Sequence, residues 1–147
     1  MKLLQELFAQ GILSEEKMDD LKKQVEKTGK TEEEVILAKN IVPEDFLFNL
    51  KSRVFNISLK KVDAAEVPPD ILVLIPEEAS INYKMASFAK VENSVQVGMV
   101  YPEDIAAQNA LRFLASQENF TYQVYLITPS NLANLLKQRK TISAETK

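Results

Sequence analysis

LIPEEASINYKMASFAKVENSVQVGMVYPEDIAAQNALRFL, residues 74–114, is the stretch in which turn chemistry, helix caps and apolar spacing agree on one supersecondary unit. Pro76 followed by Glu77 and Glu78 suits the first turn of a helix. A missing N–H is harmless there and negative charge favours the dipole, so a helix is predicted through Tyr83. Lys84 to Lys90 sets Met85, Ser87 and Ala89 against Ala86, Phe88 and Lys90, which predicts a strand, and Glu92-Asn93-Ser94 breaks it as a hairpin turn. Val95, Val97 and Met99 then alternate with Gln96 and Gly98 as a second strand. Pro102-Glu103-Asp104 opens a helix expected to carry its apolar stripe on Ile105, Ala106, Asn109, Leu111, Phe113 and Leu114. Phe120 to Ile127 reads as a third strand. Two strands joined through a helix by short connections form a βαβ crossover, whose strands should be parallel.

Towards the N-terminus the pattern becomes helical. Leu3, Leu4, Leu7 and Phe8 fall at helical spacing, Gly11 is a stop, and Ser14 with Glu15 and Glu16 caps a second helix through Lys27. After Gly29, Thr31-Glu32-Glu33-Glu34 reads as a capping box leading into Val35, Ile36, Leu37 and Ala38. Setting Gly11 against Asn40 pairs Leu7 with Ile36, Phe8 with Leu37, Ile12 with Ile41, Leu13 with Val42, Met18 with Leu47 and Leu21 with Leu50. Residues 1–27 and 31–54 therefore read as two copies of one helical hairpin, each too small to bury its own face. Leu7, Phe8, Leu21, Ile36, Leu37 and Leu50 should share a core. Ile57 to Val62 suits an edge strand, and the run 63–69, ending Pro68-Pro69, suits no regular element. The subdomains are drawn at 1–62 and 63–140. Thr128-Pro129 starts a last helix to Arg139, and 141–147 reads as a disordered tail.

Composition narrows the chemistry. The 147 residues carry a formal charge of −3 with both signs interspersed, which supplies no basic face for nucleic acid. Cys and His are both absent, which removes thiol chemistry, the usual general base and the commonest zinc ligands, so no metal site is expected. No apolar run approaches the roughly 20 residues that span a bilayer, and Met1 to Glu6 turns polar too soon for a signal peptide, so a cytoplasmic location is expected.

Residues 74–114 also resemble the N-terminal domain of the GspE/PilB family, of the MshEN type, from the cytoplasmic ATPases of type II secretion and type IV pilus assembly. Leu74-Ile75-Pro76-Glu77-Glu78-Ala79 with Tyr83-Lys84-Met85 matches that family's helix. Gly98-Met99-Val100-Tyr101-Pro102 and Leu111-Arg112-Phe113-Leu114 match the strand end and helix that follow, with Tyr101 where the family more often has Asp. The resemblance implies a non-catalytic docking and regulatory domain. It would link the motor to the cytoplasmic domain of an inner-membrane platform protein, placing the chain peripherally at that membrane, and ATP hydrolysis would lie in a downstream ATPase domain. The fold expected is α+β: tandem helical hairpins, then a small mixed sheet of about three strands covered by helices.

The alternative that the resemblance raises is a cyclic di-GMP sensor. Some members bind that ligand through tandem motifs of the form R-L-G-x-x-L-hydrophobic-x-x-G followed by two aliphatics. The positions that would contact it here are Lys2, Leu3, Leu7, Phe8, Gly11, Ile12 and Leu13 in the first copy and Ile36, Leu37, Ile41 and Val42 in the second. Lys2 and Leu4 replace the first Arg and Gly, and Thr31-Glu32-Glu33 replaces the second R-L-G, so apolar positions persist while the Arg that would stack on guanine and reach phosphate is lost. No cofactor is expected on this count, and no catalytic residue is assigned. The acidic pairs Glu77-Glu78 and Glu103-Asp104 read as helix starts rather than as acid/base pairs.

Gly29-Lys30-Thr31 ends like a phosphate-binding loop, but Gln24 stands where that loop needs its leading Gly and no strand precedes it. The chain should accordingly give no ATP turnover above background in a phosphate-release assay, and Lys30→Ala should leave that result unchanged. Turnover abolished by Lys30→Ala would contradict this reading.

Overall fold

The structure, a computed structural model, describes residues 1–145, with side chains through Thr141. The chain forms two compact units, Met1–Asn56 and Ile57–Lys147. The first holds helices α1 (Lys2–Ala9), α2 (Glu15–Thr28), α3 (Glu32–Ala38) and α4 (Glu44–Val54).

The repeat is visible in the backbone. Gly11 takes φ +77°, its N–H bonds the Phe8 carbonyl at 3.0 Å and the Ile12 N–H bonds the Leu7 carbonyl at 3.0 Å. In the second copy Asn40 takes φ +53°, its N–H bonds the Leu37 carbonyl at 3.1 Å and the Ile41 N–H bonds the Ile36 carbonyl at 3.2 Å. Both are Schellman turns, and Asn is the non-glycine residue best suited to the left-handed position. Ser14 caps α2 by accepting from the Lys17 N–H, and Thr31 with Glu34 forms the capping box of α3. Burial follows the register at four of the six aligned pairs, and differs at Ile12 against Ile41 and Leu13 against Val42. Leu7 and Ile36, Met18 and Leu47, and Leu21 and Leu50 are buried in pairs, while Phe8 and Leu37 are both half-buried. α1 packs on α2, α3 and α4, so neither hairpin closes its core alone.

The second unit holds a 3-10 turn (Ala64–Glu66), α5 (Pro69–Leu72), α6 (Glu77–Tyr83), β1 (Met85–Val91), β2 (Ser94–Met99), α7 (Ile105–Glu118), β3 (Thr121–Leu126) and α8 (Pro129–Glu145). The sheet order is β1-β2-β3, with β1 antiparallel and β3 parallel to β2. Met85, Val95, Val97 and Met99 on one face pack against Ile75, Ala107, Leu111 and Ala115. On the other face Ile127 crowds Gly98, where a Cβ would lie 2.6 Å from the Ile127 Cγ2. The architecture is the α+β arrangement of tandem helical hairpins and a three-stranded mixed sheet covered by helices.

Several local expectations are revised. The strand expected at 57–62 is a single parallel bridge from Leu59 to Leu126, because the Asn131 side chain takes both backbone groups of Val62 at 2.8 Å each. Residues 57–62 therefore pack with the sheet, and the first unit ends at Asn56 instead of at residue 62. Within 63–69, Asp63 caps the 3-10 turn through the Ala65 N–H, and Pro69 opens α5 at its first position. β1 bulges between Ser87 and Ala89, which breaks the alternation at Phe88. α7 begins at Ile105 and not at Pro102, because Asp104 serves as its cap, accepting from the Ala106 N–H at 3.0 Å. Its buried stripe is Ala107, Leu111 and Ala115. Of the stripe expected from sequence, Leu111 is buried and Leu114 half-buried, while Ile105, Ala106, Asn109 and Phe113 face solvent. α8 continues to Glu145, past the end expected at Arg139 and into the tail expected at 141–147, since neither Gly nor Pro interrupts it; Thr146 and Lys147 lie outside the described residues.

Leu50 is 1% exposed at the centre of the helical unit. Leu50→Ala should cost about 2–5 kcal/mol in urea unfolding, and a loss below about 0.5 kcal/mol, the size of a surface change, would show that the two copies are mis-registered.

Candidate functional site

The candidate ligand positions all lie in the helical unit. Leu3, Leu7, Leu13 and Ile36 are buried and belong to its core. Phe8, Leu37, Ile41 and Val42 are half-buried, and Lys2, Gly11 and Ile12 are exposed. The two turns at Gly11-Ile12-Leu13 and Asn40-Ile41-Val42 thus have matching backbones, with only part of each aliphatic pair open to a ligand. A groove of about 660 Å³ in this unit is lined by Ser14, Glu16, Lys17, Asp19, Asp20 and Lys23, none of them a candidate position.

The polar residues that replace the motif's Arg and Gly have work inside the fold. Lys51 is fully buried on α4, and its Nζ meets the Glu33 Oε2 at 2.5 Å, with Glu33 itself 4% exposed. The ammonium also lies 5.7 Å from the Phe48 ring centre and 5.4 Å from that of Phe55, where the ring faces favour a cation. Lys2 lies 5.5 Å from the same Phe55 ring. Glu32 accepts the Leu4 N–H at 2.8 Å. Leu4 is in the first turn of α1, where N–H groups have no helical acceptor, so Glu32 caps α1 from another helix. The acidic start of α3 is thereby fastened to α1 through Glu32 and to α4 through Glu33.

Sequence reasoning missed this clasp. One signal was present: Lys51 stands four residues after Leu47 and so falls on the buried stripe of α4. Its partner was not legible, because Glu33 looks like any carboxylate at a helix start.

A tandem helical-hairpin unit followed by a three-stranded mixed sheet defines the class of protein. Its family follows from comparison: the MshEN domain model matches residues 55–142, and the chain belongs to the MshEN domain family. That bears out the resemblance to the N-terminal domains of secretion and pilus ATPases read from residues 74–114. Among solved structures, MshE with cdg (cyclic di-GMP) aligns with a TM-score of 0.75 at 18% identity, over 93% of this chain and 97% of that one. The N-terminal domain of XpsE aligns at 0.68 and 13% identity over 92% of each chain. A second crystal form of it gives 0.57 and 12% over 93% of each. At these identities the likeness speaks for the fold. No curated protein sequence matches the chain. The family match covers almost all of the second unit, and both motif copies, at 2–13 and 31–42, fall outside it. Among the described residues no helix is long and apolar enough to cross a membrane.

Glu33→Ala should leave the Lys51 charge buried without this carboxylate and cost about 3–5 kcal/mol, whereas Glu33→Leu with Lys51→Met should recover most of the loss. Urea denaturation of the single and double variants checks this; a double variant no more stable than Glu33→Ala would mean the pair is not the source of the cost.

Proposed function

We propose that the chain is a non-catalytic docking and regulatory domain, the N-terminal part of a type II secretion or type IV pilus assembly ATPase. It joins the motor to the cytoplasmic domain of an inner-membrane platform protein and sits at that membrane through its partners. The family match over residues 55–142 carries this reading. The helical unit is consistent with it, since Glu32, Glu33 and Lys51 are spent on internal contacts instead of lining an open charged site.

The second reading, a cyclic di-GMP sensor, is favoured by the fold-level likeness to MshE with cdg. The chemistry here opposes it. A dianionic ligand meets Lys2 and Thr31 where two Arg would stack and bind phosphate in a bidentate way. Glu32 stands beside the second half-site, where a close like-charge contact is unfavourable by on the order of 1 kcal/mol.

Titration calorimetry separates the two. The chain should bind the purified cytoplasmic domain of a cognate platform protein and give no resolvable heat with cyclic di-GMP at low salt. The variant Lys2→Arg with Thr31→Arg, which keeps the Glu33–Lys51 pair, should gain measurable affinity. Micromolar or tighter binding of cyclic di-GMP by the unaltered chain would overturn the docking reading in favour of the sensor.

A further inference from the structure

α8 already holds one stretch of extended backbone by a side-chain amide. The Val62 N–H donates to the Asn131 Oδ1 and the Asn131 Nδ2 donates to the Val62 carbonyl, each at 2.8 Å, with Asn131 8% exposed. An Asn or Gln amide offers a donor beside an acceptor, which matches the N–H and C=O that one residue of extended chain turns to the same side. Asn134 and Gln138 repeat that amide along the same side of α8, one and two turns further on. Neither side chain has a hydrogen-bond partner among the described residues. Beyond Val62 the chain turns away from them, because the Asp63 Oδ1 accepts the Ala65 N–H at 3.1 Å and starts the 3-10 turn. An open groove of about 660 Å³ is left between that turn and α8. Lys61 lines one wall and Lys137 the other, both exposed, and among the described residues neither has an ion-pair partner. Asp63 is the one acid on the lining, and its carboxylate is already engaged by the Ala65 N–H.

We propose that this groove docks a short extended segment of a partner protein that carries acidic side chains. The segment's backbone takes the amides of Asn134 and Gln138 as Val62 takes that of Asn131, and its carboxylates pair with Lys61 and Lys137. The amide stripe calls for peptide backbone, since its first member already holds one. The two unpaired cations, set against a single engaged acid, call for negative charge. A free phosphate would satisfy the lysines and make no use of the amides. From Asn134 to Thr141 α8 rises about 10 Å, the length of about three residues of extended chain. So short a segment, held by exposed ion pairs, binds weakly and in a salt-dependent way. Docking in this groove stands separately from binding to a platform protein, which the calorimetry above reads with the whole partner domain.

The test is an NMR titration of the whole isotope-labelled chain. The probes are a capped hexapeptide with glutamates at its four central positions, the same peptide with glutamines there, and inorganic phosphate. The glutamate peptide should shift the side-chain amide signals of Asn134 and Gln138 and the backbone signals of residues 61–65, less so as salt is added. The glutamine peptide, and the glutamate peptide on the variant Lys61→Glu with Lys137→Glu, should bind at least about tenfold more weakly. Because both lysines are exposed, that variant should keep its thermal midpoint. Asn134→Ala with Gln138→Ala should weaken the peptide and leave any phosphate response unchanged. Three results each overturn the proposal: no shift of these signals at millimolar glutamate peptide, equal binding of the glutamine peptide, or peptide binding indifferent to Asn134→Ala with Gln138→Ala. The last, with phosphate giving the same shifts, would mark a simple anion site.

Discussion

The ion pair between Glu33 and Lys51 is the constraint on which the helical unit turns. Both groups are withdrawn from water, and a buried charge is tolerated only when an opposite charge or strong hydrogen bonds meet it. With Glu33 committed at the start of α3, its neighbour Glu32 is delivered to the first turn of α1, and the two carboxylates hold three helices in one register. Many apolar packings of four short helices would bury similar area; few would also pair this lysine with this glutamate.

That commitment has a functional side. A carboxylate already engaged with the buried ammonium, and another engaged with a helix start, are poor neighbours for an incoming anion. The left-handed turns at Gly11 and Asn40 have matching backbones, while Glu32 and Glu33 at the start of α3 are engaged within the unit. The second unit carries the family signature, and its central strand β2 is packed on both faces, with Val95, Val97 and Met99 towards α7 and Gly98 left bare for Ile127.

α7 has an inner face in the core and apolar side chains on its outer face. Ala107, Leu111 and Ala115 on its inner face join the core with Val95, Val97 and Met99, while Ile105 and Phe113 are turned outward. The unit is held together by one side of α7 and presents the other.

By itself the sequence determined the elements that local chemistry controls: the capped starts at Ser14 and Thr31, the stop at Gly11, the hairpin at Glu92-Asn93, the parallel crossover around α7, and a repeat whose register the burial pairs confirm. Each rests on a few adjacent residues whose backbone preferences or spacing leave one good solution. Tertiary structure decided the rest. Periodicity marks α7 as apolar but gives no reason to choose between Ala107 and Phe113 for the core, since that depends on which side of the helix the folded chain turns inward. The 57–62 segment loses its strand to the Asn131 side chain, 69 residues away from Val62 in sequence. Lys51 falls on the buried stripe of α4 by spacing, but Glu33 reads as an ordinary carboxylate at a helix start, and only the folding of α3 against α4 takes both out of water and makes each the condition for burying the other.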